Sequence, residues 1–75
     1  MPASESSLES VLPARILSAR KALGLTQQTA AEAAGVAVAL WSKYECGHVT
    51  PSIGTLERMA SALGVSVSDL LRVTE

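Results

Sequence analysis

The chain has 75 residues, 48% of them hydrophobic, and a formal net charge of −1 from six Lys or Arg against seven Asp or Glu. That length makes one small domain with a modest core and leaves too little chain for a deep catalytic pocket. The single cysteine, Cys46, rules out an intramolecular disulfide and a cysteine-based zinc site, and a reducing cytoplasm is its natural compartment.

Residues 1–10, MPASESSLES, are rich in Ser and Glu and poor in apolar side chains, which predicts a flexible tail ahead of a domain over 11–75. With Glu5 and Glu9 and no Lys or Arg, the segment reads as a solvated leader, neither a signal peptide nor a DNA-reaching arm. No apolar run is long enough to span a bilayer. A first helix is expected from Leu12 or Pro13 to Leu23, with Pro in its first turn. Leu12, Ile16, Ala19 and Leu23 recur at helical spacing and form its buried stripe. Gly24 is a natural terminator.

The central stretch, Gly24 to Gly47, reads GLTQQTAAEAAGVAVALWSKYECG. Thr26 is placed to cap a helix from Gln27 to Ala34, with Ala30, Ala31 and Ala34 facing inward. Gly35 breaks the pattern, as a residue with positive φ does. A third helix follows from Ala37 or Val38 to Cys46, closed by Gly47. Its inward residues are Trp41 and Tyr44, with Val36 beneath the turn; Val38, Ala39, Leu40, Ser42, Lys43 and Cys46 make the other face. Helix, Gly-containing turn, helix is the helix-turn-helix pattern. Pro51 and Ser52 then introduce a fourth helix, Ile53 to Leu63, with Ile53, Leu56, Met59, Ala60 and Leu63 as its apolar stripe. Ser66 caps a fifth, Val67 to Arg72, with Asp69 in its first turn. Val65, Leu70 and Leu71 point to the core, while Val67 and Val73 are left over. The fold class is all-α, a compact five-helix bundle.

GLTQ, Ala30-Ala31, Gly35-Val36, Trp41-Ser42-Lys43, Glu45 and Gly47 resemble the Cro/repressor (Xre-type) helix-turn-helix family, and so do Pro51, Leu56, Met59-Ala60 and Leu63-Gly64-Val65-Ser66. The likeness covers roughly Leu12 to Leu71, and it implies a λ-repressor-like bundle whose third helix enters the major groove of double-stranded DNA. It further implies an ion pair between Arg20 and Glu45 and a scaffold role for Ala31, Gly35 and Trp41. In that family the positions of Val38, Ala39, Ser42 and Lys43 face bases. Gln27 and Thr26 would meet a phosphate at the start of the second helix, and Arg20, His48, Thr50 and Ser52 are further backbone candidates. A homodimer on half-sites about one helical turn apart is the family's arrangement, here with the end of the fourth helix, Val65, Val67 and the fifth helix as the expected contact.

The chain departs from the family at five positions. A larger aliphatic residue is usual where Ala30 stands, and Ile, Leu or Val where Trp41 stands, so Trp41 is expected to fill volume vacated at Ala30. Ser or Thr is favoured where Ala37 leaves the third helix uncapped. Long amides or Arg are common where Val38 and Ala39 stand. These two cannot hydrogen-bond through their side chains but can pack on thymine methyls, while Lys43 can donate to guanine or a phosphate.

On its sum the charge argues against a nucleic-acid partner. Its distribution matters more, since screening removes exposed charges beyond about 10 Å. Glu5, Glu9, Asp69 and Glu75 lie towards the ends, and Arg15, Arg20, Lys21, Lys43 and His48 around the central motif, allowing a weakly basic face. His48, the only histidine, sits in a loop, and there is no phosphate-cradling Gly-rich loop or ligand cluster. The expectation is a sequence-specific transcriptional regulator, a repressor, with no enzymatic activity, metal or cofactor. The alternative is a protein-interaction module, such as an antitoxin, antirepressor or regulator subunit, using the apolar face of Val38, Ala39 and Leu40.

Overall fold

The computed structural model describes residues 8–71, with side-chain environments from Val11 onward. Five helices and no strands occur among these residues: α1 (Leu8–Ala22), α2 (Gln27–Ala34), α3 (Val38–Cys46), α4 (Ile53–Leu63) and α5 (Val67–Leu71). α2 packs on α4 and on α3, α1 on α3 and α5, and α4 on α5. No helix among the described residues is long and apolar enough to cross a membrane.

Local chemistry sets the helix ends. The Thr26 hydroxyl accepts the Thr29 N–H at 3.0 Å, and the Ser52 hydroxyl accepts the Thr55 N–H at 3.2 Å. Ser66 and Asp69 cap reciprocally: the Asp69 N–H donates to the Ser66 hydroxyl and the Ser66 N–H to the Asp69 carboxylate. Ala37, as expected, provides no side-chain cap for α3. The first four helices end alike, on a glycine with positive φ: Gly24, Gly35, Gly47 and Gly64. In each, the N–H of the next residue reaches back five residues to a helix carbonyl, as from Val36 to Ala31 and from Val65 to Ala60. The residue making that bond is Leu25, Val36 or Val65 in three cases, all packed against the core. In the fourth it is His48, which is exposed.

The core gathers Leu12 and Ile16 from α1, Ala30, Ala31 and Ala34 from α2, Trp41 and Tyr44 from α3, Leu56, Met59, Ala60 and Leu63 from α4, and Leu70 from α5. Trp41 and Ala30 are both fully enclosed, as an exchange of volume between them requires. Three alanines on one face of α2 leave little side chain between that helix and α3 or α4, so the backbones approach closely.

Several expectations need correction. α1 starts at Leu8, a turn earlier than expected, so the last residues of the expected tail are helical; the rest of it, residues 1–7, lies outside the described residues, as do Arg72 and Val73. Pro13 therefore sits inside α1. It removes the bond that residue 13 would make to the Glu9 carbonyl, and its ring crowds that carbonyl. α1 stops at Ala22, so Leu23 lies in the turn and is 53% exposed. Leu25, beyond the glycine, takes the packing place. Ile53, the first residue of α4, is 62% exposed; it stands at the edge of the buried arc centred on Leu56 and Leu63. Leu40 turns inward, half-buried against the core, because it lies beside Tyr44 on the helix circumference, about 40° away on the side opposite Trp41. Val67 also packs against the core.

Candidate nucleic-acid interface

One carboxylate joins the three helices that build the site. Glu45 on α3 accepts from Arg20 Nε on α1 at 2.6 Å and from Arg20 Nη2 at 3.2 Å. It also accepts from Gln27 Nε2, at the start of α2, at 2.9 Å, and from the indole Nε1 of Trp41, one turn back on α3, at 2.6 Å. The side chains of Arg20 and Glu45 are only 12% and 5% exposed. Burial raises the Glu45 pKa, but hydrogen bonds from Arg20, Gln27 and Trp41, together with the charge of Arg20, outweigh it and hold the carboxyl below its usual value. Arg20 Nη1 donates to the Leu25 carbonyl at 2.7 Å, fixing the turn that leads into α2.

The expected Arg20–Glu45 pair is therefore present. The second role expected of Arg20, a phosphate contact, is not one this geometry favours. Each of its side-chain nitrogens donates inside the fold, so it belongs with the scaffold. Three donors go beyond what the sequence predicts: Gln27, Trp41 and Arg58. Trp41 is expected there only as volume, although its spacing of four residues from Glu45 puts the two side chains on one face. Arg58 Nε donates to the Ala34 carbonyl at 3.2 Å, tying α4 to the end of α2; residues 24 apart leave no local sign of that.

Outward from this network, α3 presents Val38, Ala39, Ser42, Lys43 and Cys46. At about 100° per residue they occupy an arc of about 140°, opposite the buried Trp41 and Tyr44. Val38 is 44% exposed, Ala39, Lys43 and Cys46 are exposed, and Ser42 is half-buried. Gln27 is half-buried, with one amide hydrogen directed to Glu45 and the other, like the carbonyl, uncommitted by that bond. Thr26 and Ser52 are exposed at the starts of α2 and α4, but both hydroxyls already cap a helix and donate on to Thr29 and Thr55; a phosphate would compete with those bonds. His48 and Thr50 are exposed in the α3–α4 loop. Since Glu45 neutralises Arg20, Lys43 is the exposed cation on α3, with Lys21 at the end of α1. The basic face is thinner than its sequence suggests. Among the described residues no group of three or more His, Cys, Asp or Glu side chains could hold a metal ion.

The two short helices joined through Gly35, braced from α1 and α4, make a helix-turn-helix unit. A helix-turn-helix family model matches residues 16–70, and the chain belongs to the Cro/repressor (Xre-type) helix-turn-helix family. Over 56 residues it is 34% identical to the cryptic phage CTXphi transcriptional repressor RstR of Vibrio cholerae serotype O1, covering 75% of this chain and 50% of that protein. Over 60 residues it is 35% identical to the SPbeta prophage-derived uncharacterized HTH-type transcriptional regulator YonR of Bacillus subtilis, covering 80% of this chain and 56% of that one. The chain thus spans about half the length of these relatives.

Proposed function

We propose that the protein is a cytoplasmic DNA-binding regulator of transcription, a repressor, that acts as a homodimer and lays α3 in the major groove. The observation that carries this reading is the Glu45 network. It fixes α3 against α1 and the start of α2 while leaving the arc of Val38, Ala39, Ser42 and Lys43 turned outward. A groove-reading helix needs that combination of a rigid base and a free face. The repressor and regulator named among its relatives support the same reading. Val38, Ala39, Ser42 and Lys43 face base edges. Gln27, pre-oriented by Glu45, and the backbone N–H groups opening α2 meet a phosphate, with Thr26, His48, Thr50 and Ser52 flanking the backbone. The dimer contact lies around the end of α4, Val65, Val67 and α5.

Fluorescence anisotropy on duplex DNA tests this. The slope of log affinity against log salt is about −0.9 per phosphate neutralised. With few exposed cations the expected slope is shallow, and Lys43→Ala reduces it further. Binding that ignores both salt and the Lys43→Ala and Gln27→Ala substitutions would remove the DNA reading. It would leave a protein-docking face, a role that the exposed isopropyl of Val38 also suits.

A further inference from the structure

The outward arc of α3 divides into two chemically different halves. Val38 and Ala39 fill its first turn, and Ser42 and Lys43 its second, four residues on and directly adjacent. Val38 is 44% exposed and stands outside the core cluster. Neither Val38 nor Ala39 has a hydrogen-bonding atom in its side chain. The second half can donate to bases; the first cannot read any donor or acceptor through its side chains. In the major groove the one base-edge group that an aliphatic side chain selects is the methyl at pyrimidine C5.

Thymine carries that methyl beside the O4 acceptor. 5-Methylcytosine carries the same methyl beside the N4 donor. A side chain without donors or acceptors contacts both methyls equally and has no means of telling the two bases apart. We infer that Val38 and Ala39 form a C5-methyl reader that takes thymine and 5-methylcytosine alike, so that cytosine methylation strengthens binding wherever a cytosine lies beneath this turn. This rests on the DNA-binding reading above. It goes further by naming the base chemistry and a covalent DNA mark that the site responds to.

The test starts from half-sites selected by the full chain out of a random duplex pool. Each thymine of the best half-site is exchanged singly for deoxyuridine, which deletes the methyl and leaves the hydrogen-bonding groups in place. One or two adjacent thymines are expected to weaken binding about fourfold each, the ratio for one methyl-sized group removed from contact. At those positions C·G and 5-methylcytosine·G pairs are then compared, and the methylated pair binds more tightly by a similar factor. Val38→Ser, a substitution at an exposed position whose fold is checked by thermal melting, abolishes both ratios.

A selected half-site with no thymine, or one in which no uracil exchange alters salt-sensitive binding, overturns the methyl reader and leaves the DNA reading standing. Ratios that survive in both Val38→Ser and Ala39→Gly place the methyl contact elsewhere and overturn the assignment. Absence of any DNA binding overturns both readings together.

Discussion

The indole N–H of Trp41 donates to the Glu45 carboxylate at 2.6 Å from one turn away on the same helix. Trp41 is fully enclosed, so its ring fills the core while its one polar atom completes the ion pair at the core's edge. A buried hydrogen bond to a charged group contributes about 1.5–3 kcal/mol. Trp41→Phe keeps most of the apolar ring and removes the donor. The expected loss is of that order, read by urea denaturation followed by circular dichroism because Trp41 is the only tryptophan. If Trp41→Phe loses as much in the Glu45→Gln background as in the parent, the two losses are additive and the indole serves as volume only.

Glu45 also makes the fold sensitive to acid. Its folded pKa is held below its usual value, and that of an unfolded glutamate is about 4.3. The unfolded chain therefore takes up the proton first as pH drops. The stability Glu45 contributes is full above that unfolded value and is lost as pH falls through the folded one. Glu45→Gln removes this component. Between about pH 6 and about pH 3 the variant's stability is expected to decline less steeply than the parent's, although it starts lower. Parallel declines would assign the acid sensitivity to other carboxylates.

Trp41 and Ala30 are both inaccessible to solvent, in a core that contains no phenylalanine. Interiors pack near crystal density, so a leucine at the fully buried position of Ala30 overfills the core and is expected to destabilise by about 1–3 kcal/mol. With Trp41→Leu in the background the same change should be tolerated, giving a favourable coupling in the double-mutant cycle. An Ala30→Leu variant more stable than the parent would mean that the tryptophan occupies other space.

The scaffold was legible because its signals are local. Thr26, Ser52 and Ser66 cap their own helices, Gly24, Gly35, Gly47 and Gly64 end theirs, and the spacing of Leu56, Met59, Ala60 and Leu63 marks a face. Errors fell where tertiary placement overrides local pattern. Leu23 and Ile53 continue apolar stripes in the sequence, yet each lies at a helix end where no neighbour covers it. Leu40 faces inward because Trp41 and Tyr44 fix the arc of α3, and that arc is set by packing. The Arg20–Glu45 pair came from resemblance, since residues 25 apart carry no short-range signal. The Trp41 donor has a local sign in its four-residue spacing from Glu45, while the Gln27 donor and the Arg58 bond to Ala34 depend on packing alone.

Ala37 opens α3 with φ −67° and ψ 142°, the extended geometry of a capping residue, but with no side-chain oxygen to use it. Ala37→Ser supplies one without moving the backbone and is expected to stabilise by about 1 kcal/mol. Thr26→Ala and Ser52→Ala, which delete caps that are in place, should lose a similar amount. Thermal melting of the three variants checks this. An Ala37→Ser variant no more stable than the parent would mean that the first N–H groups of α3 are already satisfied by water.

Gly35 and Gly54 separate two effects of a glycine. Neither position has an atom within 4 Å of where a Cβ would stand, so sterics with neighbours decide nothing and only the backbone matters. Gly35 has φ +74°, where an L side chain meets its own carbonyl; Gly35→Ala is expected to cost about 1–2 kcal/mol. Gly54 lies in the first turn of α4 outside the positive-φ set. There alanine restricts the unfolded chain without straining the folded one, and Gly54→Ala should gain about 0.4–1 kcal/mol. Gly35→Asn should fall between the parent and Gly35→Ala, because an asparagine tolerates the left-handed region better. Chemical denaturation of the three variants gives the order directly. Equal losses at Gly35→Ala and Gly54→Ala would show that close packing against an unforeseen neighbour, and not backbone conformation, selects glycine at both sites.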